Sequence, residues 1–385
     1  MNLIIDTKVL RETLDITSVG LENISQKPIS GHYLFRVGED YCEVLSGHNM
    51  GSFGGYARIN NLPPTEVKDV VSFTVEGKKL MGFISAVGSG NLNISYEETE
   101  RKISIVPDKA KTKFNTSGLD VEEAFSFEKD FRKAKNLGKK GSFPADLFDT
   151  ALDITSPFIG IGHAESGFSL VNVTDTPEGG MIRTAEGKAI SVYRSGKISG
   201  TFNIRGEKVS VLKGFLKKQE GDITVYEGDA SFYFVAETGS YIAVKKVSIS
   251  FPEMKGIDLF SKDLGFIFSL SKADLKSALN RLKWSLDDDQ KRMVFKISSD
   301  GVVLNTKNSI GVESSEEISN VQIVTGDTID FGLNYKHLLS GIEKFSGDIL
   351  TIYVHKSRQF SFVKILETSD TDNVSQVLIL SIMNG

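Results

Sequence analysis

The sequence predicts an α+β protein of three tandem domains, each made of two strand-helix-strands halves. The first observation is a motif that occurs three times, at Phe73–Ile94, Phe202–Val225 and Phe331–Ile352. Each copy has a strand start, a turn containing lysine, an apolar helical run, and then glycine with Asn or Asp before a second strand. The phenylalanines that begin the copies are 129 residues apart both times, and a fixed period indicates a repeated domain.

Length and composition agree with three domains. The 385 residues suit domains of roughly 100 to 200 residues each. Hydrophobic residues make up 40% of the chain and charged residues 25%, as in globular proteins with buried cores. Two polar stretches, Thr116–Ser142 and Pro252–Gly265, resemble connectors. We therefore expect domains at 1–125, 126–254 and 255–385.

The elements of each half follow from local patterns. Apolar residues at helical spacing follow a first strand, and we expect Thr7 to cap the first helix and Ser271 to cap the fifth. Asp274 stands three residues after Ser271, as in a capping box. Alternating apolar runs with turn signals follow the helices, which predicts antiparallel hairpins rather than parallel crossovers.

Residues that could support catalysis or bind a metal are not grouped. The five histidines are scattered, and no hydrolase signature is present. Gly51–Gly55 has the wrong spacing for a phosphate loop, and Asp287–Asp289 lacks the alternating ligands of a calcium loop, so both are interpreted as turns. Cys42 is the single cysteine and is interpreted as an inert strand residue. We expect no enzyme, no cofactor and no metal.

The ends of the chain carry no targeting or membrane signal. Charges begin within the first ten residues, and the apolar run Val377–Met383 is too short to span a bilayer. We therefore expect a cytoplasmic protein with no membrane partner.

Positive charge is concentrated in the predicted helices although the chain carries a net charge of −5. The segments 77–87, 206–218, 271–283 and 335–345 carry +2, +3, +3 and +1, whereas 7–18 is neutral and 144–154 carries −3. The six segments sum to +6, so the rest of the chain carries −11. Exposed lysines can simply keep a helix soluble. A bias in four helices of six favours contact with a phosphate backbone without base reading.

Several short segments resemble one family in their order and spacing. They are Pro28–Gly31, Thr184–Val192, Phe251–Glu253, Ile329–Tyr335, Leu338–Leu339 and Gly347–Ile349. Over nearly its whole length the chain resembles the beta subunit of bacterial DNA polymerase III, the sliding clamp. The resemblance implies the DNA-clamp fold, with three domains of two βαβββ halves, antiparallel outer sheets and helices that line a central hole. It also implies a homodimeric ring that encircles double-stranded DNA.

The resemblance assigns roles to particular residues. A DNA-contacting set is expected at Lys27, Lys78, Lys79, Lys208, Lys217, Lys218, Lys272, Lys276 and Arg281. A groove for the clamp-binding peptides of a DNA polymerase and a clamp loader is expected at Gly187, Lys188, Ile190, Pro252, Leu380 and Ile382. For Leu380 and Ile382 an ordinary core strand is the alternative. Trp284 is expected at the dimer interface, with a place in the core as the alternative.

Two departures from the family pattern fall in the expected groove. The usual C-terminal Met-Pro-Met-Arg-Leu is replaced by the residues Leu380–Gly385, and Gly-His-Arg-Leu is replaced by Gly187–Ile190. Altered peptide specificity follows, as suits a divergent or phage-encoded clamp acting in a host cytoplasm. The alternative function is a β-rich structural protein of a virus particle, built from duplicated domains without DNA in a hole. That alternative explains the repeats but not the basic helices.

Overall fold

A computed structural model describes most of the chain, in segments that together contain seven α-helices and 25 strands. The described residues are 1–21, 28–47, 53–65, 67, 69–121, 127–160, 166–252, 265–287, 291–356, 361–369 and 374–383. Lys27, Glu253, the first two residues of Gly51–Gly55 and the last two of Asp287–Asp289 lie outside these segments.

The order strand, helix and three strands recurs six times along the chain. The first two repeats are β1 (Asn2–Asp6), α1 (Thr7–Thr17), β2 (His32–Val37), β3 (Cys42–Gly47), β4 (Phe53–Ile59), and β5 (Val71–Glu76), α2 (Gly77–Val87), β6 (Asn91–Glu97), β7 (Lys102–Pro107), β8 (Phe114–Ser117). After an additional helix, α3 (Phe127–Leu137), come β9 (Lys139–Pro144), α4 (Ala145–Thr155), β10 (Leu170–Thr176), β11 (Gly179–Glu186), β12 (Ala189–Ser195), and β13 (Phe202–Arg205), α5 (Val209–Leu216), β14 (Asp222–Glu227), β15 (Ser231–Ala236), β16 (Tyr241–Lys245).

The last two repeats contain one additional strand, β21. They are β17 (Phe266–Ser271), α6 (Lys272–Leu282), β18 (Arg292–Ser298), β19 (Gly301–Lys307), β20 (Glu313–Ile318), then β21 (Val321–Thr325), and β22 (Ile329–Asn334), α7 (Tyr335–Ile342), β23 (Ile349–Lys356), β24 (Ser361–Ser369), β25 (Val374–Ser381). The α+β fold class with paired βαβββ repeats is confirmed. The helix α3 was not predicted, because the stretch that contains it was interpreted as a connector.

The helix starts follow from side-chain caps, with one correction. Asp6, not Thr7, caps α1, since its carboxylate accepts hydrogen bonds from the backbone N–H groups of Lys8 and Val9. Thr7 is instead the first residue of the helix, and its buried hydroxyl donates to the Gly90 carbonyl. The predicted cap at Ser271 is confirmed by the bond it accepts from the Asp274 N–H at 3.2 Å.

The chain divides into two compact units, residues 1–146 with 210–246 and residues 147–209 with 247–385. The first unit contains an antiparallel sheet of eight strands in the order β5-β2-β3-β4-β16-β15-β14-β9, and a sheet of four strands in the order β1-β6-β7-β8. The second contains nine strands in the order β13-β10-β11-β12-β25-β24-β23-β17-β21, and four in the order β20-β19-β18-β22. The three-domain boundaries predicted above stay a prediction.

In the first unit, the eight-stranded sheet has buried side chains on both faces. Phe35 and Val44 lie in one cluster with Leu10, Leu14, Leu80 and Ile84 of α1 and α2. The residues Leu34 and Leu45, next to them in sequence, lie in a different cluster with Phe127 and Ala134 of α3. Because neighbouring strand residues point to opposite faces, α3 covers the face opposite α1 and α2.

In the second unit, α6 and α7 pack on the sheets through Leu275, Leu279, Leu338 and Ile342. Each fully buried Leu or Ile contributes about 2 kcal/mol of transfer free energy. Gly341 lets α7 approach the sheet closely, because a Cβ atom there would overlap the side chain of Leu378.

Candidate nucleic-acid interface and partner groove

The cations on α2 lie at the start of the helix and are exposed. Lys79 forms an ion pair of 2.6 Å with Glu76, whereas Lys78 has no ion-pair partner among the described residues. A neighbouring cation, Arg11 of α1, donates to the carbonyls of Ile84 and Gly88 and so fastens α1 to the end of α2. Lys78 is therefore the cation here that is most available to an outside anion.

The predicted helix at 206–218 is shorter in the structure. Residues 206–208 form a 3-10 turn, and Lys217 and Lys218 follow the last helical residue. The predicted apolar face is confirmed, since Val209, Leu212 and Leu216 are buried.

The three lysines of this segment that are predicted to contact DNA differ in their surroundings. Lys208 is half-buried and lies 3.5 Å from the Glu207 carboxylate. Lys218 lies 3.6 Å from the carboxylate of Asp15 on α1. Lys217 is exposed and has no ion-pair partner in the described part of the chain.

All three predicted cations of α6 have partners in the second unit. The Lys272 ammonium group donates to the Phe345 carbonyl at 2.6 Å. Lys276 pairs with Glu343 of α7 at 2.9 Å, and Arg281 makes two hydrogen bonds to Glu316 of β20. These carboxylates reduce the positive field of α6. Because exposed ion pairs contribute little, Lys276 can exchange its carboxylate for a phosphate at small cost.

The predicted partner groove is built around the junction of β12 and β25. Ala189 pairs with Leu380 and Ile190 with Ile379 across this junction, and the Ser381 N–H donates to the Lys188 carbonyl at 2.8 Å. Gly187 lies in the tight turn between β11 and β12. Its φ of 43° is in the left-handed region, which glycine adopts readily.

The side chains at this junction differ in burial. Leu380 is 1% exposed and lies in the core, whereas Ile382 is half-buried at the border of the same core. Phe251, next to the half-buried Pro252, shares a cluster with Ile190. The residues predicted to form the groove thus lie at or near the junction of β12 and β25, with Leu380 beneath the surface.

A histidine lies beside this junction and was not predicted as part of it. His337 of α7 is 3.2 Å from the carboxylate of Glu186, the last residue of β11. Burial lowers the pKa of His337, and Glu186 opposes the effect without cancelling it. Sequence inspection gives no signal for this pair, because the two residues are 151 positions apart.

Comparison with known proteins decides the fold. No protein-family model matches the sequence, and no curated protein matches it. Solved structures do match, and each of the following covers 100% of both chains. The DNA polymerase III beta subunit of Pseudomonas aeruginosa is 15% identical with a TM-score of 0.82. The beta subunit of Streptococcus pyogenes is 11% identical with a TM-score of 0.83, and that of Caulobacter crescentus is 13% identical with a TM-score of 0.80.

This chain has the sliding-clamp fold. The strand pairing within this fold shows a regularity. In both large sheets, the last strand of one repeat pairs with the last strand of another, β4 with β16 and β12 with β25. The last strands of the two remaining repeats, β8 and β20, are edges of the four-stranded sheets.

Charges of opposite sign lie at the two edge strands, just before β8 and within β20. The lysines Lys109, Lys111 and Lys113 precede β8, whereas β20 contains Glu313, Glu316 and Glu317. Trp284, at the end of α6, is 84% exposed, which excludes a place in the core of the described unit. Ile310 and Val312, just before β20, are also exposed apolar residues.

Cys42 and Asp287, which were considered as possible site residues, have structural surroundings in the clamp fold. Cys42 is buried in β3, and burial raises the pKa of its thiol. The carboxylate of Asp287 accepts a hydrogen bond from the Ser309 N–H at 2.6 Å, as expected of a turn residue. Within the described segments no group of three metal-ligating side chains occurs. In the same segments no helix has both the length and the apolar character that crossing a membrane requires.

Proposed function

We propose that this protein is a processivity clamp, in which two copies form a ring around duplex DNA and tether a polymerase without catalysing a reaction. The observation that carries the proposal is the strand pairing. We use the word joint for the pairing of two repeats through their last strands, and the chain contains two such joints, β4 with β16 and β12 with β25. A joint between β8 of one copy and β20 of another would use the last strands of the two remaining repeats. The ring of two copies then has no free joint. The fold match over the full length supports the same conclusion.

The charges favour a head-to-tail joint over a joint between identical edges. Pairing β8 with β20 places three lysines near three glutamates, whereas pairing like with like would oppose equal charges. Glu317 has no ion-pair partner in the described part of the chain, so it is available for such a contact. Trp284, with Ile310 and Val312, supplies apolar area beside β20.

In this proposal DNA is held by the closed ring, and the cations serve to keep sliding contacts weak and nonspecific. Lys78 and Lys217 contribute most to the attraction of DNA, because no carboxylate neutralises them within the described segments. The paired cations contribute less, and Lys27 remains a further candidate. The cations concerned are Lys27, Lys78, Lys79, Lys208, Lys217, Lys218, Lys272, Lys276 and Arg281. Contacts of this kind weaken as salt rises.

Partner proteins bind, in this proposal, at the junction of β12 and β25. A short peptide from a polymerase or a clamp loader would place apolar anchors against Ile190, Pro252 and Ile382. Gly187 and Lys188 form the exposed rim, and Leu380 supports the surface from the core. The chain after β25 is held in place as far as Met383, because the Met383 N–H donates to the Gly332 carbonyl at 2.8 Å and the Met383 carbonyl accepts from Arg292.

The proposal also keeps the three domains at 1–125, 126–254 and 255–385, and it places the protein in the cytoplasm, where the chromosome or phage DNA is copied. Each domain contributes two repeats, so the repeat helices, without the additional helix α3, number six in each copy and twelve in the dimer.

A cross-linking experiment tests ring closure without a loader. Cysteines are introduced at the exposed positions Asn115 of β8 and Ser315 of β20, and a bis-maleimide is added to the protein on nicked circular DNA. The expected result is a covalent dimer that stays on the circle in molar salt and is released when the DNA is linearised. The parent chain is the control, because its buried Cys42 does not react.

Two outcomes would contradict the proposal. Equal loss from circular and linear DNA would exclude encirclement, as the structural protein of a virus particle would predict. Cross-links between two copies of β8, or a monomer at all concentrations, would exclude the head-to-tail joint.

A further inference from the structure

The helix α3 has an outward face that is entirely cationic or neutral. Lys129, Arg132, Lys133 and Asn136 recur at intervals of three and four residues, which places them on one side of the helix. All four are exposed. The segment 127–140 contains six cations and two carboxylates, within a chain of net charge −5. This face is therefore a local concentration of positive charge on an acidic protein.

Both carboxylates of the segment are used to attach the helix to the sheet. Glu128 accepts two hydrogen bonds of 2.6 Å from the Arg36 guanidinium group of β2, and both side chains are largely buried. Asp130 accepts from the N–H groups of Asp229 and Ala230 and from the Tyr233 hydroxyl. Because these contacts point toward the sheet, neither carboxylate neutralises the outward face.

Aromatic packing fixes the orientation of the helix. The ring of Phe131 lies 4.1 Å from that of Tyr241 and 5.0 Å from that of Tyr233. Phe127 and Ala134 are buried in the same cluster. The cations are thus held on a rigid element, which lowers the entropy lost when they bind a partner.

Little opposes the charge of the outward face itself. Lys129 and Arg132 have no ion-pair partner among the described residues, and Lys133 has only an exposed pair of 3.3 Å with Asp229. Lys139 and Lys140 extend the positive region beyond the helix, although Lys140 pairs with Glu227. An anion that binds here displaces at most weak surface pairs.

We propose that the outward face of α3 binds the phosphate backbone of duplex DNA. The chemistry matches, since Lys, Arg and Asn are residues that contact phosphates and the face has no aromatic side chain on which a base could stack. A peptide partner would need apolar anchors at the centre of its site. The exposed apolar residue of this helix is Leu137, at its C-terminal end and outside the row of cations.

This site is distinct from the contacts in the proposed ring. The face of the sheet that α3 covers is opposite the face that carries α1 and α2. A clamp with both sites would contact one DNA segment by encirclement and a second segment, or a bend of the same duplex, from outside. The outer contact requires no closed ring, so it can be measured on a short linear duplex.

The test compares two variants that change the charge equally. Lys129→Glu with Arg132→Glu removes the two cations of the outward face that have no ion-pair partner among the described residues. Lys102→Glu with Lys296→Glu changes exposed lysines on β7 and β18. Binding to a fluorescent linear duplex of about 30 base pairs is measured between about 50 and 200 mM salt. We expect the α3 variant to lose about tenfold or more in affinity and to flatten the plot of log affinity against log salt by about 2. The control variant should retain its duplex affinity to within about twofold and the same slope of log affinity against log salt.

Two additional measurements distinguish the phosphate-binding face from an apolar docking surface and from the ring. Leu137→Ser should leave duplex affinity unchanged, and an equal loss in that variant would overturn the assignment in favour of an apolar partner. Retention of the cross-linked ring on circular DNA in molar salt should be unaffected by the α3 substitutions. Unchanged duplex affinity in the α3 variant would overturn the outer site while leaving the ring proposal intact. Circular dichroism checks that every variant is folded like the parent chain.

Discussion

Trp284 offers the sharpest test of the proposed dimer, because the residue is 84% exposed in the single chain. Burying a tryptophan removes on the order of 200 Å² from water, which at about 25 cal/mol per Å² gives about 5 kcal/mol as an upper limit. Interface residues of this type cost about 2 to 4 kcal/mol when truncated. The proposed ring has two equal joints, so Trp284→Ser should raise the dimer dissociation constant at least about 1,000-fold.

Sedimentation over a range of concentrations measures this dissociation constant directly. The free energy of unfolding of the monomer should change by less than about 0.5 kcal/mol, since the side chain has few contacts within its own chain. Leu137→Ser is the matched control, because Leu137 is 77% exposed and lies outside the proposed joint. A Trp284→Ser protein that dimerises as tightly as the parent would refute the assignment of Trp284 to the interface.

Two further predictions concern the folded chain. Gly341→Ala should lower the free energy of unfolding by about 1 to 3 kcal/mol in urea titrations, because the new methyl group would overlap Leu378. The control is Gly82→Ala, in open space on α2, which should raise the free energy of unfolding by up to about 1 kcal/mol. Similar effects at both sites would contradict the close packing of α7. Burial lowers the pKa of His32 and His337 below the ordinary value of 6.5, so the unfolded chain binds more protons and stability should fall as pH decreases through about 6.5. The variant with both histidines changed to Gln should show a smaller decrease between about pH 7.5 and 5.5, and an identical pH profile would exclude these groups as its cause.

Local patterns in the sequence predicted the repeating elements well. The six predicted helix segments contain α1, α2, α4, α5, α6 and α7 to within a few residues, and the confirmed cap at Ser271 has its signal within four positions. Helix periodicity and caps are properties of residues close together in the chain, so sequence alone can determine them. The error at Thr7 has the same origin, because Asp6 is an equally good cap one residue earlier.

The helix α3 could not be recognised in this way. Its sequence is polar and basic, and only Phe127, Phe131 and Ala134 form an apolar stripe. The stripe has a partner only because Tyr233 and Tyr241, about 100 residues later, form the opposite wall of the cluster. Tertiary packing, not local preference, therefore makes this stretch a helix.

The sequence by itself determined the period, the repeat and the surplus of lysine in the helices, since each is a matter of which residues occur and how they are spaced. The tertiary structure decided which lysines have carboxylate partners, as with Lys218 and Asp15, and that Leu380 lies in the core. It also decided which strands, β8 and β20, remain as edges. These properties depend on contacts between residues far apart in the chain, and one sequence without its fold does not specify them.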